Sequence, residues 1–385
     1  MLGRRAALAL FILSLLVGCS RDSSDPRTQP DPALSAAIDS LFTQAIGRDD
    51  PGAAVLVAGD GILIHAAGYG LADASRGVPI TPTTNIRVAS VSKQFTAMAV
   101  LTLIDQGLLS LGDSIRTFFG APVFEGITIE HLLTHTSGLP DNEAVFMEEW
   151  DRAGFAENKD VLAWYVTAAP PLEFTPGASW DYSNSGYNLL AMIVEAVSGQ
   201  AFSEYVREKV FEPAGITSAV FATPSQPVPI PERAWAYGID EAGAFRREDD
   251  HFLDGLVGAD GLYISVLDYY RWDQALRNAS IVSTELHAQS LEPRTPISPR
   301  YNEMFEQAFD RVPLAPSEYG YGWFIAEEGG RRLAWHQGGW YGTQAMVIRN
   351  LEPPLTVAVF GNNDELSLGL VEVLFELAIE HLFEE

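Results

Sequence analysis

Ser90-Val91-Ser92-Lys93, followed by the apolar run through residue 106, is the stretch on which the reading of this chain turns. Residues three apart share one face of a helix. A serine hydroxyl there lies against an amine able to take its proton. Lys93 is one of only three lysines, with Lys159 and Lys209. The run over 92–106 predicts a long apolar helix that stops at Gly107. Alone, Ser90 is also a good helix N-cap and Lys93 an ordinary solvated lysine, so the pair is weighed with its surroundings. Upstream, residues 32–46 carry helical periodicity through Leu34, Ile38, Leu41, Phe42 and Ile46. Residues 53–58 and 62–69 are apolar runs joined by Gly59-Asp60-Gly61, a hairpin signal.

Downstream the pattern changes. Over 120–316, helical segments at 161–168, 187–197 and 267–276 alternate with Pro- and Gly-rich loops. Strand character returns at 322–326, 332–336, 343–349 and 356–360. An amphipathic helix is expected at 366–383, with Asp364 available near its N-terminus. Strands at both ends with helices between predict an α+β fold. An antiparallel sheet built from both chain ends is flanked by helices and carries an inserted, mostly helical lobe. The expected divisions are 33–119 with 317–385 for the α/β lobe and 120–316 for the insertion. No fixed-period repeat is present.

Composition narrows the function. The 385 residues carry 51 acidic and 24 basic side chains, a net charge of −27. Such a surface repels phosphate backbones, so no nucleic-acid partner is expected. It also disfavours docking on anionic lipid. The first residues read as an export signal over 1–18: Arg4 and Arg5, then an apolar run over 6–17 too short to span a bilayer. Leu16-Val17-Gly18-Cys19 resembles the bacterial lipobox. That resemblance implies lipidation at Cys19, the only cysteine, with residues 19–32 as anchor and flexible tether. The expected location is the bacterial cell envelope, on the periplasmic side. Ser20 after the cysteine resembles the outer-membrane sorting pattern.

Two further constellations follow Ser90 and Lys93. Tyr182-Ser183-Asn184 is the only Tyr-x-Asn in the chain, and His336-Gln337-Gly338-Gly339 contains the only His-x-Gly. With Leu132-Leu133-Thr134-His135-Thr136-Ser137-Gly138-Leu139, Gly261-Leu262-Tyr263 and Tyr321-Gly322-Trp323, the chain resembles the serine β-lactamase and penicillin-binding-protein superfamily. The resemblance is to its class C-type branch, over roughly residues 33–383. That branch includes esterases and D-amino-acid peptidases. The resemblance implies acyl transfer through a covalent serine ester. Ser90 would be the nucleophile, Lys93 and Tyr182 the proton carriers, and Asn184 their support. His336, Gly338 and Gly339 would form the substrate side, and the backbone N–H groups of Ser90 and Gly339 the oxyanion hole. Which of Lys93 and Tyr182 is the base stays open. Either must drop by roughly 3 pK units to act at neutral pH, about 4 kcal/mol of differential environment.

Two departures bear on substrate. The β-lactamases of this branch carry Lys-Thr-Gly where this chain has His336-Gln337-Gly338. A cation about 4 Å from a substrate carboxylate is worth about 4 kcal/mol at an effective dielectric near 20. A neutral histidine forgoes this, so esterase, amidase or D-amino-acid peptidase activity is expected over strong penicillin hydrolysis. The alternatives are a β-lactamase, a peptidoglycan carboxypeptidase or penicillin sensor, and a catalytically silent binding module. Trp340-Tyr341 after the third motif suggests an apolar acyl pocket, or else a strand-edge pair packed on the helical lobe. Glu148-Glu149-Trp150-Asp151 either lines the entrance or is a solvated acidic run. No metal or cofactor is expected. His131 and His135 stand at zinc-binding spacing, but residues 134–138 read as a turn. The expected partner is a small-molecule or peptide acyl substrate, and the expected form is a monomer.

Overall fold

The hairpin expected at 53–69 forms as β1 (Ala53–Gly59) and β2 (Ile62–Tyr69). Its partners come from the far end of the sequence: β3 (Thr295–Pro296), β4 (Ser317–Tyr319), β5 (Phe324–Glu328), β6 (Arg331–Trp340), β7 (Thr343–Asn350) and β8 (Leu355–Gly361). These eight strands form one antiparallel sheet in the order β3-β4-β5-β6-β7-β8-β1-β2. The seam between the two ends of the chain is the β1–β8 ladder, with Ala53 opposite Gly361 and Gly59 opposite Leu355. The computed structural model describes residues 32–383 except 152, 153, 226, 310, 313, 316 and 329. The expected export signal and Cys19 lie outside the described residues.

Both faces of the sheet are covered, and period-two alternation sorts its side chains. On β1, Ala54 and Leu56 enter the core on one face, while Ala53, Val55 and Val57 enter the core on the other. On β8, Ala358 and Phe360 take the first face, and Leu355, Val357 and Val359 the second. The second face packs helices Pro32–Ala45 and Gly369–Phe383. The first face packs the helix Lys93–Asp105, whose residues 93–103 are all buried. A helix apolar all round belongs inside a protein.

Boundaries differ from the sequence reading at three places. The α-helix starts at Lys93, because Ala89–Ser92 forms a tighter 3-10 turn that carries Ser90. The third motif lies within a strand, since β6 runs to Trp340 through its pairing with β7, including His336 opposite Val347 and Gly339 opposite Gln344. The last helix starts at Gly369, not near Asp364, whose N–H instead donates to the Tyr237 carbonyl at 3.3 Å.

Candidate active site

The site forms where the 3-10 turn, β6 and the middle helices meet. Gly338 shares its strand face with Ala334 and points toward the turn. A Cβ at 338 would lie 2.2 Å from the Val88 carbonyl oxygen and 2.9 Å from the Ser90 nitrogen. Only glycine permits that approach, so β6 rests directly on the backbone that carries Ser90. At Gly339 an added Cβ would meet only the Gln344 side chain, at 3.4 Å and beyond. The space beside it is open.

Lys93 is completely buried. Its Nζ donates to Ser90 Oγ at 3.1 Å, Asn184 Oδ1 at 2.8 Å and the Ala259 carbonyl at 3.1 Å. Burial pushes its pKa down to about 7, opposed by the carboxylates of Asp260, Asp141 and Glu143. Nζ also sits 4.7 Å from the centre of the Tyr182 ring. Burial raises the Tyr182 pKa well above the ordinary phenol value, opposed by its interaction with the Ser90 side chain. The structure therefore brings Ser90, Lys93, Tyr182 and Asn184 into one contact set. It separates Lys93 and Tyr182 by environment.

Local sequence explains the placement of Tyr182. Ser183 caps the helix Asn184–Ser198, its side chain accepting the Gly186 N–H at 3.2 Å. Asn184 opens that helix, and Tyr182 is held just before it. Asn184 Nδ2 donates to Glu143 Oε2 at 2.7 Å. This orients the amide so that its oxygen faces Lys93.

His336 is buried, with both ring nitrogens engaged. Nδ1 lies 2.6 Å from the Gln337 carbonyl, and Nε2 lies 3.1 Å from the Tyr319 hydroxyl. Donation to a carbonyl leaves Nε2 to accept from Tyr319. Burial and Lys93 hold the His336 pKa down at about 3, so the ring is neutral. His336 thus serves the network behind Tyr182.

The cavity at Ser90 is lined by Asn142, Glu143, Asn184, Asn188, Leu253, Leu256, Ala259, Asp260, Gly339 and Trp340. An apolar pocket built on Trp340 and Tyr341 does not form. Trp340 lines the cavity and donates its Nε1–H to Asp254 at 2.8 Å, with the Arg87 guanidinium 5.1 Å from its ring. Tyr341 is 39% exposed and stacks on His251 at 4.2 Å, away from Ser90. The remaining walls mix polar side chains with Leu253, Leu256 and Ala259. Glu148 and Glu149 are exposed and absent from the lining. Their helix, Asn142–Glu149, instead contributes Asn142 and Glu143. Glu143 and Asp260 carried no motif of their own. The only signals were their positions beside the Leu132–Leu139 and Gly261–Tyr263 stretches. Arg87 donates to both oxygens of Asp260, at 3.2 and 2.8 Å, and to Asp254 at 2.6 Å. Among the described residues, Arg87 and Lys93 are the cations near the cavity, and both are engaged by protein groups.

His131 and His135 do not converge as metal ligands. His131 Nδ1 accepts the Thr128 N–H, and His135 Nδ1 accepts the Ser183 N–H.

The family model described as Beta-lactamase matches residues 38–370. Penicillin-binding protein 4* of Bacillus subtilis (strain 168) is 31% identical over 343 residues, 85% of this chain and 72% of that protein. A D-aminopeptidase of Cereibacter sphaeroides is 26% identical over 355 residues, 91% of this chain. The match spans only 63% of that D-aminopeptidase. Among solved structures, the octameric penicillin-binding protein homologue from Pyrococcus abyssi superposes with a TM-score of 0.75 at 26% identity. It covers 90% of this chain and 76% of that one.

Proposed function

The chain belongs to the Beta-lactamase family, and on that premise we propose a serine hydrolase whose Ser90 takes the acyl group of an amine-bearing amide, peptide or ester, in preference to penicillins. The observation that carries the substrate reading is the Glu143 carboxylate in the lining of the Ser90 cavity, where the Asp260 charge is already paired with Arg87. An ammonium on the substrate gains there what a carboxylate loses, about 4 kcal/mol for a pair 4 Å apart at an effective dielectric near 20. The similarity to a D-aminopeptidase supports the same class.

The chemistry follows from the two proton carriers. Lys93, with its pKa near 7, is the base. Tyr182, held protonated by its raised pKa, is the donor. Ser90 Oγ attacks the acyl carbon and passes its proton to Lys93. The N–H groups of Ser90 and Gly339 receive the oxyanion. Collapse expels the leaving group, which takes the Tyr182 proton. Tyr182 is reprotonated through the network from Lys93. Water then repeats the sequence on the ester, releasing the acid. Every group named comes from one chain, so a monomer suffices.

The test compares a D-aminoacyl amide, its N-acetylated form and a penicillin. The free amine is expected to show the highest kcat/KM and the penicillin the lowest. An N-acetyl preference, or a penicillin turned over faster than the free amine, defeats the substrate reading.

We also propose export and lipidation at Cys19, supported by Arg4, Arg5, the apolar run over 6–17 and the lipobox spacing. The protein would then act at the cell envelope, on the periplasmic side. Cys19→Ser should move it from membranes to the soluble fraction, and retention on membranes would refute the anchor.

A further inference from the structure

His135 takes no part in the proton movements above, yet three features set it apart. It is a non-glycine residue in the left-handed region, with φ of 57°. It is buried, at 2% exposure. Its Nε2 has no hydrogen-bond partner among the described residues. A left-handed backbone and an unpaired buried N–H are each unfavourable.

The contacts of His135 account for these penalties. Its carbonyl accepts the Asp181 N–H at 3.1 Å, and its Nδ1 accepts the Ser183 N–H at 3.1 Å. Between those residues lies Tyr182, whose ring packs against the imidazole at 4.5 Å with 36° between planes. Accepting at Nδ1 puts the single ring proton on Nε2. Around the ring pack Trp180, Tyr187 and Tyr319, whose ring centres lie 5.8, 5.2 and 4.6 Å from that of His135. The ring stays neutral, since burial, Lys93 and His336 all oppose its protonation. Asparagine would supply the acceptor without the ring. Phenylalanine would supply the ring without the acceptor. Histidine supplies both.

We propose that His135 is the positioning residue for Tyr182: it grips the backbone on either side of the tyrosine and supports the ring, so that the phenol reaches the leaving group. This rests on the reading of Tyr182 as proton donor. Misplacement by about 1 Å can lower a rate by roughly 10²-fold. The loss falls on substrates that need the proton. A p-nitrophenyl ester leaves as a weakly basic phenolate and needs little help, whereas an alkyl ester of the same acyl group needs a general acid.

The experiment measures kcat/KM on that pair of esters for wild type, Tyr182→Phe, His135→Phe and His135→Asn, with a thermal melt for each. Tyr182→Phe should lose about 100-fold more on the alkyl ester than on the aryl ester. His135→Phe, which releases the Ser183 N–H, should reproduce the discrimination at about tenfold. His135→Asn keeps an acceptor and tolerates the left-handed backbone; it should show about threefold. It also keeps the question answerable if the phenylalanine variant does not fold. Equal losses on both esters in the folded His135 variants, with discrimination intact in Tyr182→Phe, overturn the role of His135 alone. No discrimination in Tyr182→Phe overturns the donor reading and this inference with it.

Discussion

Ser90→Ala is expected to abolish covalent labelling and to lower turnover by roughly 10⁴- to 10⁶-fold, the range seen when a hydrolase loses its nucleophile. The Ser90 hydroxyl lies 3.1 Å from the Lys93 amine and at the mouth of the cavity. The neighbouring Ser92 cannot replace it. Ser92 is completely buried, and its oxygen accepts the Leu262 N–H at 3.3 Å. Intact-mass measurement after treatment with a fluorophosphonate should show one adduct, mapped to Ser90, and none in the variant. Labelling at full strength in Ser90→Ala would mean that the nucleophile is another residue. With a penicillin in place of the fluorophosphonate, an acyl adduct that forms in one burst and persists would identify a penicillin sensor in place of a hydrolase.

Lys93→Met should lower acylation by roughly 10²- to 10⁴-fold, and the pH profile separates base loss from packing loss. Lys93 accepts a proton only when neutral. With its pKa near 7, kcat/KM in the wild type should be low in acid, rise through about pH 7 and level above it. The variant should be slow and lack that rise. A tyrosine base predicts a rise at far higher pH. Burial raises the Tyr182 pKa well above the ordinary phenol value, so activity would grow only in strong alkali. A wild-type profile that is flat through pH 7 would remove Lys93 as the base.

Much of the site was legible because its chemistry is local in sequence. Ser90 and Lys93 are three apart, and Tyr182 and Asn184 two apart, so spacing alone predicts proximity within each pair. The hairpin at 53–69 was legible because its turn residues and apolar alternation agree. Residues that act through distant contacts were not. Glu143 reaches the site because Asn184, 41 residues on, donates to it. Asp260 is fixed by Arg87, and neither partner signals the other in sequence. The split between Trp340 and Tyr341 was hidden for a related reason: β6 ends at Trp340 and Tyr341 opens the turn into β7, a boundary that only the pairing of the two strands sets. The short strands at 295–296 and 317–319 carry too few residues for periodicity and take their conformation from pairing.

The seam between β1 and β8 gives the enzyme a timetable. During synthesis Ser90 emerges long before β6, the strand that carries Gly339, and β6 joins β1 only through β7 and β8. A ribosome-bound chain therefore carries Ser90 and Lys93 without a working site. If the chain is threaded across a membrane before it closes, its acyl chemistry switches on only on the far side.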